Sequence, residues 1–218
     1  MPQLFPPFSN LLARCTVAGL IALGIASIGG GYLLQAGPYY TYQDQVIEQP
    51  VPFSHQHHVG GLGIDCRNCH TSVEEGRYAG MPPTSTCMSC HSQLWTNADA
   101  LQPVRDSWET NEPIAWNRVH DLPDYAYFDH SIHIAKGVGC NTCHGRIDEM
   151  PLVRKDQPLT MGWCLDCHRN PSEHQRPQDK IYDLHYQPPG GEKGRELSKS
   201  YGTLDRVAQL QNCSTCHR

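Results

Sequence analysis

The longest apolar stretch of the chain lies near its N-terminus. From Cys15 to Leu34, twenty residues (CTVAGLIALGIASIGGGYLL) carry no charge. As a helix such a run spans about 30 Å, the hydrocarbon thickness of a bilayer. The pattern predicts a transmembrane helix over 15–34, behind a short cytoplasmic N-terminus at 1–14. Arg14 stands just before the run and the next basic residue is Arg67, a bias that puts the N-terminus inside. Tyr32, Tyr39 and Tyr40 fall where interfacial aromatic residues belong. A cleaved signal peptide has a shorter apolar region, so the length favours an uncleaved anchor. Ala18, Ala22, Ala26 and Gly30 recur every four residues, giving one face of small side chains that lets a neighbouring helix approach closely. Arg14 spoils a lipoprotein-type cleavage site at Cys15, which reads as a small buried apolar residue.

Beyond this run the periodicity weakens. Residues 35–52, with Pro38, Pro50 and Pro52, read as a tether. A short helix is expected around Ala98–Trp108, and Leu204, Val207, Ala208 and Gln211 fit one side of a helix running into Cys213. Residues 170–195, rich in Pro, Gly and charge, read as loop. Apolar residues make up 39% of the 218, part of them in the N-terminal run, so the remainder is a thin supply for a core. The expectation is a mainly α fold with extensive coil and little sheet. A net charge of −5 carries no basic footprint for nucleic acid.

The cysteines supply what the hydrophobic pattern lacks. Ten of the eleven lie in five copies of Cys-x-x-Cys-His: Cys66, Cys69 and His70; Cys87, Cys90 and His91; Cys140, Cys143 and His144; Cys164, Cys167 and His168; Cys213, Cys216 and His217. Cys-x-x-Cys-His is the attachment signal of a c-type haem. On one helical turn, positions i, i+3 and i+4 share a face, so two sulfurs reach the vinyl groups of one haem while the imidazole meets its iron. Structural zinc wants four ligands from paired halves, and five copies leave one unpaired. A disulfide framework explains ten cysteines but not a His after every second one. The reading is five covalently bound haem c groups, whose porphyrins add the missing apolar bulk. Thioether attachment places the haem domain on the extracytoplasmic side of the inner membrane.

An internal repeat organises the motifs. Phe53-Ser-His55-x-x-His58 precedes Cys66, and Phe128-Asp-His130-x-x-His133 precedes Cys140. Each unit then carries a second motif, at Cys87 and at Cys164. This gives di-haem module 1 at 53–91, a linker at 92–127, di-haem module 2 at 128–168, and a C-terminal extension at 169–218 with the fifth haem. Thirteen histidines are present and five follow motif cysteines. His55, His58, His130 and His133 stand at i, i+3 spacing and are the expected distal ligands. His120 is the first choice for the fifth, with Met81, Met150 and Met161 as competitors; a thioether there raises that haem's potential. His57, His174 and His185 are left without a role. Six-coordinate irons have no open site, so electron transfer rather than catalysis is expected of most of them.

These units are similar to the multihaem cytochromes of the c3/c7 class. WNRVHDLPDYAYFDHSIHIAKGVGCNTCHG (116–145) followed by LTMGWCLDCHRNP (159–171) resembles more closely the pentahaem cytochrome c subunit of alternative complex III, a bacterial quinol oxidoreductase. The likeness is best over 53–171 and thin over 172–212. It implies an electron-transfer subunit, not an enzyme alone, with integral-membrane and iron–sulfur subunits as partners. It also implies a periplasmic acceptor, such as a mono-haem cytochrome c or a cupredoxin, or a terminal oxidase. Two other functions stand beside it: a stand-alone membrane-anchored quinol dehydrogenase, and a multihaem reductase of a small oxyanion, which needs one haem without a sixth ligand.

Overall fold

A computed structural model describes residues 5–217. The first four residues of the expected cytoplasmic stretch, and Arg218 at the end of the expected C-terminal extension, lie outside the described residues. The chain divides into two compact units, Met1–Gln43 and Asp44–Arg218.

The first unit is dominated by helix α1, Ser9–Ala36, of 28 residues. It is longer than the uncharged run, because Leu11 and Leu12 extend the apolar surface toward the start. It is long and apolar enough to cross a membrane. None of its residues is buried, and Leu20, Ile21, Leu23, Ile25 and Ile28 are all exposed. The helix stops at Gly37, which precedes Pro38 and adopts an extended conformation (φ −80°, ψ 168°), the region favoured before proline. A Cβ there would lie 2.9 Å from the Leu33 carbonyl oxygen, so the turn out of α1 is suited to glycine.

The second unit contains no strand among the described residues, only isolated bridges between Val46 and Arg154, Ala126 and His217, and Val138 and Gln175. Its longer helices are α2 (Thr84–His91), α3 (Gln102–Thr110), α4 (His130–Ala135), α5 (Met161–Arg169) and α6 (Gly191–Ser200). Helix α3 occupies the region expected to be helical, with Pro103 in its first turn, where no donor is needed. It buries Val104 and Ser107, and the Ser107 hydroxyl meets that of Thr84 on α2 at 2.6 Å.

Two expectations need correction. The helix predicted to run from Leu204 into Cys213 is broken into three short turns, Leu204–Arg206, Val207–Leu210 and Cys213–Cys216. The segment read as loop over 170–195 contains the start of α6, whose polar sequence hid it. Helix α6 is fixed by close approach rather than by an apolar stripe. At Gly194 an added Cβ would fall 2.1 Å from the Ser172 carbonyl oxygen, and Ser198, fully buried, donates to the Gln175 side chain.

The apolar core is small. Val51, Val73, Val104, Met150, Ile181 and Leu184 are the buried hydrophobic residues among those described. What joins the unit is largely polar: Gln56 N–H donates to the Met150 carbonyl at 3.0 Å, and Tyr127 N–H to the Cys216 carbonyl at 2.7 Å. The second contact brings the fifth motif back to the start of the second repeat.

Candidate metal centres

Each Cys-x-x-Cys-His motif lies on or beside one tight turn. The first contains a 3-10 turn, Cys66–Asn68; the second closes α2; the third includes the turn Asn141–His144; the fourth lies in α5; the fifth includes Cys213–Cys216. Backbone carbonyls hold four of the motif imidazoles by Nδ1: Gly80 O for His70 at 2.8 Å, Leu94 O for His91 at 3.1 Å, Leu210 O for His168 at 2.9 Å, and Tyr125 O for His217 at 3.1 Å. A carbonyl only accepts, so Nδ1 carries the proton and Nε2 keeps its lone pair for a metal.

The two repeats are built alike. Phe53 packs edge-on against His55 (4.9 Å, 88°) and stacks on His58 (4.3 Å, 25°). Phe128 does the same with His130 (4.7 Å, 90°) and His133 (4.5 Å, 25°). The second imidazole of each pair donates Nδ1–H to the carbonyl four residues back, His58 to Ser54 at 2.8 Å and His133 to Asp129 at 2.7 Å. His130 Nδ1 instead reaches the Arg77 carbonyl at 2.7 Å, so the first module helps to orient a histidine of the second.

These histidines face motif histidines at one recurring distance. Ring centroids are 6.2 Å apart for His58 and His91, 6.4 Å for His130 and His144, and 6.3 Å for His133 and His168. A metal–imidazole bond is about 2 Å and the ring nitrogen lies about 1.1 Å from the ring centre, so two imidazoles across one iron stand about 6.2 Å apart. Among the described residues no three His, Cys, Asp or Glu side chains converge on a bare ion. Opposed pairs without further protein ligands suit a metal whose equatorial ligands come from a macrocycle, and do not suit structural zinc. None of the ten motif cysteines is paired in a disulfide, so all are available for thioether bonds.

Burial tunes these groups in the same sense. It pushes the Cys140 and Cys143 thiols up to about 12 and Cys167 up to about 11, keeping them protonated. It also holds His133 below, and His144 well below, the usual imidazole value, so both are neutral and able to ligate.

The other named residues fall elsewhere. His55 is held down to about 4, first by burial and then by the neighbouring His70, and its Nδ1 is buried without a partner. His120 is likewise held near 4 by burial, with its Nε2 unpaired. The His120 ring lies 4.3 Å from that of His144, beside a motif imidazole, whereas the opposed pairs stand more than 6 Å apart. His57 stacks on Trp95 at 5.7 Å, and His185 Nε2 is 3.5 Å from Asp148 Oδ2. Met150 is 1% exposed and packs in the core, whereas Met81 and Met161 are exposed. The aromatic ring against His217 is that of Tyr125, at 5.7 Å. Sequence reasoning missed Arg176, 1% exposed, which bonds both residues between Cys140 and Cys143; no local pattern marks it.

Comparisons with known proteins agree with this chemistry. The family model described as cytochrome c7 and related cytochrome c matches residues 126–218. The chain is 32% identical over 209 residues to the multihaem cytochrome c subunit of menaquinone reductase from Nitratidesulfovibrio vulgaris, covering 94% of this chain and 83% of the relative. A shorter match, 29% identical over 108 residues, is to four and a half LIM domains protein 5 of Rattus norvegicus; it covers 49% of this chain and 32% of that protein.

Proposed function

The chain belongs to the family of multihaem cytochromes c that includes the menaquinone reductase subunit, and on that premise we propose that it is the electron-transfer subunit of a membrane-bound quinone or quinol oxidoreductase complex. The observation that carries the reading is the set of three imidazole pairs with ring centroids 6.2, 6.4 and 6.3 Å apart, the spacing of two ligands on one iron. Haem iron, when bound, supplies a one-electron ferric/ferrous couple.

The chain's own residues divide the work as follows. The ten motif cysteines attach five haems covalently, and His70, His91, His144, His168 and His217 are the proximal ligands. His58, His130 and His133 close the second, third and fourth centres. His55 serves the first by analogy with its repeat partner His130. His120 lies against His144 and orients that centre from the side. For the fifth centre, whose His217 has the Tyr125 ring beside it at 5.7 Å, the competing ligands remain Met81, Met150 and Met161. The carbonyls on Nδ1 fix ring orientation.

Helix α1 is the proposed anchor, with the N-terminus in the cytoplasm and residues after the tether outside. Its face of Ala18, Ala22, Ala26 and Gly30 suits a neighbouring membrane subunit, and its other faces suit lipid. Residues 53–91 and 128–168 form the proposed pair of di-haem modules, joined by the linker 92–127, and 169–218 bring back the fifth centre.

Two directions of electron flow are distinguished by different observations. The likeness of 116–145 and 159–171 to the pentahaem subunit of alternative complex III favours quinol oxidation toward a periplasmic cytochrome c, cupredoxin or oxidase. The 32% identity to a menaquinone reductase subunit favours quinone reduction. Purification of the tagged full chain in mild detergent, followed by a pyridine haemochrome assay and intact mass, tests the shared part. Five covalent haems and co-purifying membrane and iron–sulfur subunits are expected. Fewer haems, or a chain that emerges alone with quinol-reducible haems, overturn it. Turnover of the isolated complex with menaquinol plus ferric carrier, against menaquinone plus ferrous carrier, decides the direction.

A further inference from the structure

Arg176 is 1% exposed, yet it is the side chain of a permanent cation. Its guanidinium is enclosed by neutral acceptors. Nη2 donates to Asn141 Oδ1 at 2.7 Å and Thr142 Oγ1 at 3.5 Å, and Nη1 to the carbonyls of Asp183 at 3.2 Å and Lys180 at 3.4 Å. Nε is buried with no acceptor. The Tyr186 ring lies 5.6 Å from the guanidinium carbon.

Four other arginines of this unit are balanced by a carboxylate. Arg67, Arg118, Arg146 and Arg154 have a carboxylate within 2.9, 2.9, 2.7 and 3.4 Å. Among the described residues Arg176 forms no ion pair. The carboxylate that acts on it, Asp183, has its oxygens engaged by Lys180 at 3.5 Å and by the His185 amide at 3.1 Å. Burying an unbalanced cation is costly, so the fold must hold it for a reason other than surface solubility.

Its position gives that reason. Asn141 and Thr142 are the two residues between Cys140 and Cys143, so the guanidinium grips the back of the third motif. The grip is close: a Cβ on Gly139 would lie 2.3 Å from the guanidinium carbon. A fixed positive charge favours the state with one more electron.

We propose that Arg176 is a positioning residue that raises the reduction potential of the third centre, by holding an uncompensated buried charge against the motif Cys140–His144. This rests on the assignment of a haem to that motif. With a haem held there, the guanidinium would stabilise the negative charge added when ferric iron takes up one electron from its redox partner; no bond would form or break. A charge within about one haem's width, at an effective dielectric of about 20, changes the ferric-to-ferrous ratio by on the order of tenfold.

The test is a spectroelectrochemical titration of the purified holo-complex carrying Arg176→Gln or Arg176→Lys. With all haems present, R176Q is expected to move one midpoint to lower potential, by an amount equivalent to about a tenfold change in that haem's oxidised-to-reduced ratio. R176K, which keeps the charge and loses the fork, is expected to restore most of the shift. If R176Q loses a haem, Thr142→Asp sets a carboxylate beside the retained guanidinium and is expected to lower the same midpoint. Unmoved midpoints with a full haem complement overturn the proposal; so does an equal shift in R176Q and R176K. A wild-type protein in which the third motif carries no haem, seen by peptide mass, overturns the assignment beneath it instead.

Discussion

The two Phe-x-His-x-x-His modules use the same local geometry in different surroundings. Phe53 and Phe128 meet their histidines at nearly the same distances and angles, and His58 and His133 bond the carbonyl four residues back. Yet the second module starts a capped α-helix, with Asp129 accepting from Ser131 N–H at 2.9 Å, while the first forms a π-helical turn, Gln56–Gly61, without a side-chain cap. Burial drives the thiols of Cys140 and Cys143 up to about 12, whereas those of Cys66 and Cys69 are raised without so large a change. A short motif sets the ligand geometry; the rest of the chain decides how deeply that geometry is enclosed.

The largest expected difference follows from enclosure. Replacing Cys140 and Cys143 together by alanine is expected to remove one covalent haem and at least about 4 kcal/mol of stability, since it empties a buried slot. The same change at Cys66 and Cys69 removes one haem with a visibly smaller drop in melting temperature. Haemochrome count and calorimetry on both double variants check this, and equal drops erase the distinction.

Ligand geometry is where the modules are expected to match. His58→Ala and His133→Ala should each convert one haem from low-spin six-coordinate to high-spin five-coordinate, read by resonance Raman on the reduced protein. If only one variant does so, the shared geometry does not mean shared ligation.

Smaller effects probe the backbone beneath. In Gly60→Ala the new Cβ would lie 2.4 Å from the Asp148 carbonyl oxygen, so the first turn must shift away from Ile147–Glu149. The expected cost is about 2 kcal/mol by denaturant unfolding. Removing the cap with Asp129→Ala is expected to cost about 1 kcal/mol, and Ser54→Ala less, because the Ser54 hydroxyl accepts a single bond, from His57 N–H at 3.1 Å.

Much of this arrangement was legible in the sequence. The motif spacing, the repeated histidines and the uncharged run each depend on residues close in the chain, and local periodicity records them. The bond from His130 to the Arg77 carbonyl spans two modules and has no local trace. Neither does the position of His120, whose ring meets His144 only through the fold of the intervening segment. Helix α6 escaped notice because GEKGRELSKS is stabilised at Gly194 and Ser198 by tight backbone contact and a buried hydrogen bond rather than by apolar alternation. Arg176 was invisible for a related reason: a buried cation is recognised by its partners, and Asn141 and Thr142 stand 35 and 34 residues away.

The three-residue step from His130 to His133 has a further consequence. Neighbours at i and i+3 on a helical turn have Cβ atoms about 5–6 Å apart, so the two centres assigned to them hang from adjacent rungs of one rigid element. An electron resting on one repels the arrival of a second on the other. Their midpoints are then macroscopic properties of the pair, spread apart by mutual repulsion, just as two neighbouring carboxylates release their protons in separate steps. A titration of this chain should therefore be fitted with interacting couples, and the spread within each pair becomes a ruler for the distance between its irons.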